Sequence, residues 1–136
     1  MNVIACIDDK YGMLFNGRRQ SRDRCLCNKI LELTEGCRLW VSPYTAQLFS
    51  DTLKLGIIED LSADIGEEDY CFAEDLDIDI LLPWIQRIIL FHWNRVYPAD
   101  RFFPVENLKE HFSCVEREEF TGSSHDTITM EVYIRV

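Results

Sequence analysis

Along the chain, short solid apolar runs alternate with stretches in which apolar residues return every three or four positions. "NVIACI", residues 2–7, is bounded by Asp8 and Asp9 and reads as a buried strand, as do "CRLWV" (37–41) and "RIILFHW" (87–93). Between the first two, Leu26, Ile30 and Leu33 share one helical face. Ser21 or Asp23 stands ready to cap it and Gly36 to end it, which predicts a helix over 24–34. Ser42 and Pro43 open a second helix through about Ser50. "LGIIE" (55–59) and "DYCFA" (69–73) are shorter strand candidates, and "DIDILLPW" (77–84) is a short helix broken by Pro83. "KYGMLFNGRRQS" (10–21), with turn residues Gly12, Asn16 and Gly17, reads as loop. Two longer strands, 111–119 and 127–135, flank "TGSSHD" as an antiparallel pair. Strands that alternate with helices and close on such a pair predict one α/β domain over residues 1–136. Its central sheet is mainly parallel and flanked by helices.

Composition changes the picture little. The chain has 136 residues, 47% of them hydrophobic, enough for one domain with a real core. A net charge of −10 disfavours nucleic acid, and no apolar run is long enough to span a bilayer. The start of the chain lacks the basic and apolar regions of a secretory signal, so a cytoplasmic location is expected. Six scattered cysteines without a C-x-x-C pair read as small core residues in a reducing compartment. Cys25 and Cys27 form C-x-C, but His92, His111 and His125 add no ligand spacing, and no metal is expected.

Charge distribution says more than its sum. Ten acids and no Lys or Arg lie between Glu59 and Asp79, while "GRRQSRDR" (17–24) carries Arg18, Arg19, Arg22 and Arg24. Each run is a solvated face, or the two meet within one molecule or between two. Within the acidic run, "FAEDLDIDILLPW" (72–84) begins like a calcium loop at Asp75, Asp77 and Asp79. Ile80 and Gln86 stand where that loop needs Gly and Glu, so the acids read instead as a helix cap, with an apolar face starting at Leu76 and Ile80.

In "RIILFHWNRVYPADRFFP" (87–104), a strand leads to Ala99, Asp100, Phe102, Phe103 and Pro104 in a pattern that resembles the end of dihydrofolate reductases. "MNVIACIDDKYGM" resembles that family's first strand and active-site loop, with Asp8, Tyr11 and Gly12 in place. "ELTEG" (32–36) and "ILLPWIQRIIL" (80–90) fit the end of its first helix and its Leu-Pro helix end with the next strand. The resemblance runs in order through nearly the whole chain. It implies a dihydrofolate reductase-like fold and, in a working member, reduction of dihydrofolate by NADPH.

The residues that would carry this reaction are changed. The family's essential acid falls on Leu26, which cannot accept the pterin N–H groups; leaving those buried and unpaired costs about 1–3 kcal/mol each. Asp23 is the alternative acid if the helix start slides. The phosphate-binding Gly-Arg-x-Thr corresponds to Ser42, Pro43, Tyr44 and Thr45, where only the threonine remains. The Gly-Gly-Gly turn that receives pyrophosphate corresponds to Ala73, Glu74 and Asp75, whose carboxylates repel an anion. The segment from Thr45 to Glu68 is also shorter than the family's, which removes a strand and loops around the adenosine end of the cofactor.

The preferred expectation is therefore a dihydrofolate reductase-like protein without NADPH binding or catalysis, acting as a binding or interaction protein with no cofactor. The alternative is a divergent NADPH-dependent reductase that uses Asp23. A small ligand in the former pterin cleft, lined by Ala5, Tyr11, Leu26, Ile30 and Phe91, is a further reading, although each of these residues also suits a core. Trp84 and Trp93 read as core or cleft wall. Sheet edges exposed by the shortening, together with the opposite charge runs, predict a homodimer whose association weakens in salt.

Overall fold

The computed structural model describes residues 1–49, 55–59 and 65–136. The end of the second predicted helix at Ser50, acids Asp60 and Asp64, and much of the shortened segment lie outside them.

The first apolar run forms β1 (Asn2–Ile7), and its side chains divide by the period-two rule. Val3, Ala5 and Ile7 join one hydrophobic cluster, whereas Ile4 joins another on the opposite face. β7 (Arg87–His92) pairs parallel with β1 over six residues and divides likewise, Ile88 and Leu90 to one side and Ile89 and Phe91 to the other. Both strands are apolar on both faces, as a sheet covered by helices on each side requires.

Around this centre β4 (Leu39–Val41), β5 (Leu55–Ile57) and β6 (Tyr70–Phe72) add in parallel, and β9 (Phe112–Phe120) and β10 (Ile128–Arg135) add antiparallel. The order is β5-β4-β6-β1-β7-β10-β9. The expected mainly parallel sheet with a terminal antiparallel pair is what forms. Helix α1 (Arg24–Leu33) and the short α2 (Pro43–Ala46), continued by a 3₁₀ turn at Gln47–Phe49, bring Leu26, Ile30 and Phe49 to one face. α3 (Ile78–Leu81) and α4 (Val105–His111) bring Ile78, Leu81 and Leu108 to the other.

Several expectations need correction. Residues 10–21 are not simple loop. β2 (Gly12–Phe15) and β3 (Arg18–Arg19) form a hairpin, and β8 (Arg101–Phe102) pairs with β2 to make a second, three-stranded sheet. The hairpin turns at Asn16 and Gly17, whose φ of 53° and 72° is the left-handed geometry a tight turn between twisted strands requires. Helix α4 was not predicted, because seven residues with one buried side chain, Leu108, carry too little periodicity to announce it. On α3 the buried face is Ile78 and Leu81; Ile80 is exposed, and Asp77 alone caps the helix by accepting the Asp79 N–H. Trp93 is core, whereas Trp84 is 63% exposed because Pro83 turns it outward in a 3₁₀ turn. Only Cys71 of the six cysteines is fully buried, and Cys114 is exposed. Burial pushes the Cys71 thiol up to about 12. Among the described residues, no helix is long and apolar enough to cross a membrane.

Candidate functional site

The two turns expected to correspond to phosphate motifs meet at the carboxyl ends of β4 and β6, where parallel strands feed helix starts. Ser42 caps α2 by accepting the Thr45 N–H at 3.2 Å, and Pro43 fills the first helical position, where its missing N–H costs nothing. Ala73, fully buried, continues β6 by donating its N–H to Ile4 O, and Glu74 and Asp75 follow before α3 begins. The two turns are tied directly. Ser42 Oγ donates to Asp75 Oδ1 at 2.6 Å and Thr45 Oγ1 donates to Glu74 Oε1 at 2.8 Å.

A cation reaches these turns from the second sheet. Arg19, on β3, reaches Glu74 with Nε to Oε2 at 2.9 Å and Nη2 to Oε1 at 3.0 Å, a two-pronged pair to a carboxylate that is 8% exposed. Its guanidinium lies 4.3 Å from the ring centre of Tyr44, whose hydroxyl accepts the Arg19 N–H. Burial alone disfavours the Arg19 charge; the hydrogen bond and charge of Glu74 outweigh it and raise the pKa. Arg101, on β8, donates to the Asp75 carbonyl at 2.9 Å. The second sheet is thus pinned across the turn by two arginines. The opposite charge runs meet here within one molecule, at least through Arg19.

The residues expected to line a pterin cleft are arranged differently from that expectation. Leu26 is buried in one cluster with Ile30 and Phe91, while Ala5 and Tyr11 pack into the cluster on the opposite face. The five expected cleft residues are therefore not brought together, because Ala5 and the Leu26 group lie on opposite sides of the sheet. Asp23 does not reach a cleft either. It caps α1 and is 2% exposed, and its oxygens accept the N–H groups of Cys25, Leu26, Ser123 and Ser124 at 2.8–3.2 Å. Ser123 Oγ and His125 Nδ1 add bonds at 3.1 Å each. Burial opposes the charge, but the N–H groups of Ser123 and Ser124, His125 and the Leu26 N–H outweigh it and hold this carboxyl well below the usual range.

His125 was not found by sequence reasoning. It sits 102 residues from Asp23, and "TGSSHD" reads only as a turn. The ring is 4% exposed, stacked on Trp93 at 4.5 Å, and its Nε2 meets Tyr97 OH at 2.9 Å and Ser21 Oγ at 3.2 Å. Asp8 is a third engaged carboxylate, accepting the N–H groups of Lys10, Gly12 and Tyr97 and the Gln20 amide. Among the described residues, no group of three or more His, Cys, Asp or Glu is placed to hold a metal ion.

No family profile and no curated protein match the chain in sequence. In structure it is similar to a dihydrofolate reductase from Enterococcus faecalis, solved in complex with NADP(H) and RAB-propyl. The TM-score is 0.71 at 11% identity, over 98% of this chain and 95% of that one. The fold is dihydrofolate reductase-like.

Proposed function

We propose that this protein keeps the dihydrofolate reductase scaffold without its NADPH-dependent reaction and works as a binding or interaction protein. The observation that carries this reading is the occupied turn between β6 and α3. Where an open glycine cradle would receive pyrophosphate, the Glu74 carboxylate lies buried, already paired with Arg19 and Thr45. A dinucleotide phosphate there meets a negative charge at close range, and to gain Arg19 it must first break a two-pronged pair. The acid position adds to this, since Leu26 offers no acceptor and packs among apolar side chains. A divergent reductase would need Asp23 free to serve a pterin, and its two oxygens are shared among four backbone N–H groups, two hydroxyls and an imidazole.

The test follows NADPH absorbance with dihydrofolate as substrate, together with thermal shifts by NADPH, NADP and folates. The expected result is no turnover and no saturable shift. Turnover, or a saturable shift with either dinucleotide, overturns the reading.

A further inference from the structure

We propose that Ser21, His125 and Asp23 form a nucleophilic serine site that cleaves a small carboxylic ester by acyl transfer. The three side chains stand in the order such chemistry needs. Asp23, ionised and able only to accept, accepts a hydrogen bond from the His125 Nδ1–H at 3.1 Å, which leaves Nε2 as the lone-pair nitrogen. That nitrogen faces Ser21 Oγ at 3.2 Å. Ser124 Oγ, 3.1 Å from Nδ1, and the stacked Trp93 fix the ring plane further. Asp23 is held by backbone N–H groups from two segments, so the orienting carboxylate is rigid before any ligand arrives. Ser21 is partly exposed, while His125 and Asp23 are buried behind it.

A groove lies beside the pair, which does not itself line it. An open groove of about 450 Å³ is lined by Phe15, Asn16, Arg18, Arg19, Gln20, Tyr97 and Pro98. Tyr97 belongs both to this wall and to the His125 contact, and Gln20 precedes Ser21 in the chain. Gln20 Oε1 is, among the described residues, the one buried side-chain polar atom without a partner; its amide nitrogen faces Asp8 and Pro98 O. Phe15 gives apolar surface and Arg18 an exposed cation, so the fitting substrate has an apolar body and an anionic group.

In the reaction, Ser21 Oγ bonds to the ester carbonyl carbon as His125 Nε2 takes its proton. The Tyr97 hydroxyl, released from Nε2, is the nearby donor for the developing oxyanion. The carbon–oxygen bond to the alcohol then breaks, and the alcohol leaves with the proton from Nε2. Water attacks the acyl-serine, giving one proton to Nε2, and Ser21 regains it as the acid departs. The sum is ester plus water to acid plus alcohol. Arg19 is common to the groove and the turn at Glu74, but Ser21, His125 and Asp23 make no bond to Glu74, so labelling of Ser21 is read independently of the NADPH result.

A fluorophosphonate probe on the intact wild-type chain tests the site, with peptide mass mapping and the urea-denatured chain as control. Ser21 is expected to be the phosphonylated residue, at a rate roughly 100-fold or more above the denatured chain. Ser21→Ala abolishes the label, and His125→Gln, with far-UV circular dichroism intact, lowers the rate by a similar factor. The anionic ester 4-nitrophenyl hemisuccinate is hydrolysed faster than 4-nitrophenyl acetate. No label on the wild type, a label on Ser123 or Ser124 instead, or a rate equal to that of the denatured chain overturns the site. Equal hydrolysis of the two esters overturns the substrate class.

Discussion

Arg19 decides what the turn between β6 and α3 can hold. Its partner Glu74 is nearly enclosed, so removing the cation strands a buried charge instead of merely deleting a surface bond. Arg19→Met is expected to cost about 3 kcal/mol in urea unfolding, while Arg19→Met with Glu74→Met costs well below the sum of the two single changes, because the stranded charge is gone too. Additive costs would show that the pair is not coupled. Asp23 is the second such residue. Its pKa is lower in the folded than in the unfolded chain, so the stability it gives is fully present above the unfolded carboxylate value, about 3.9, and is lost as pH falls through the lower folded value. Asp8 and Asp69, also lowered, act in the same direction. Asp23→Asn is expected to lose roughly 2–4 kcal/mol at neutral pH and to show a shallower decline below about pH 4, read from urea midpoints across pH. An unchanged slope would remove Asp23 from the account of acid unfolding.

The turn between β9 and β10 acts as a clamp on α1. Its backbone supplies the Ser123 and Ser124 N–H groups to the helix cap, and Gly122 lets it come that close. A Cβ there would sit 2.5 Å from Asp23 Oδ2 and 2.8 Å from His125 O. The carbonyl is backbone and cannot swing away, so Gly122→Ala is expected to cost about 1–3 kcal/mol and to loosen the α1 start. Faster amide exchange at Cys25 and Leu26 is the specific readout, and exchange identical to wild type would refute the clamp. The hairpin β2–β3 has the corresponding role at the turn between β6 and α3, because its Asn16–Gly17 turn sets the register that delivers Arg19 to Glu74.

The whole molecule leaves β9 as a sheet edge, with Ser113 to Glu119 exposed. Glu116 and Arg117 stand side by side on it, so an antiparallel copy centred between them would place each opposite its counterpart's partner in charge. We propose that a homodimer forms along this edge, with association weakened by salt. Light scattering is expected to give twice the monomer mass at low ionic strength and less in high salt; a monomer under both conditions excludes it. Arg19 is spent internally, which leaves the acidic and basic runs less available to pair between copies than their sequence alone suggests.

Much of the fold was legible in the sequence because its strongest signals are local. Solid branched runs such as "NVIACI" and "RIILFHW" can satisfy both faces only at a sheet centre, and Leu26, Ile30 and Gly36 set a helix and its stop within one short window. That Pro43 opens a helix and that Glu74 and Asp75 place carboxylates before the next one was likewise plain from residue type. What each buried polar group does was decided only by tertiary structure. Arg19 and Glu74 are 55 residues apart, and Asp23 and His125 are 102 apart. The same is true of Ala5 and Leu26, which were expected to line one cleft and which the sheet places on opposite faces. A sequence states which groups must be buried or paired; a partner far along the chain is chosen by the path of the backbone, which no local pattern records.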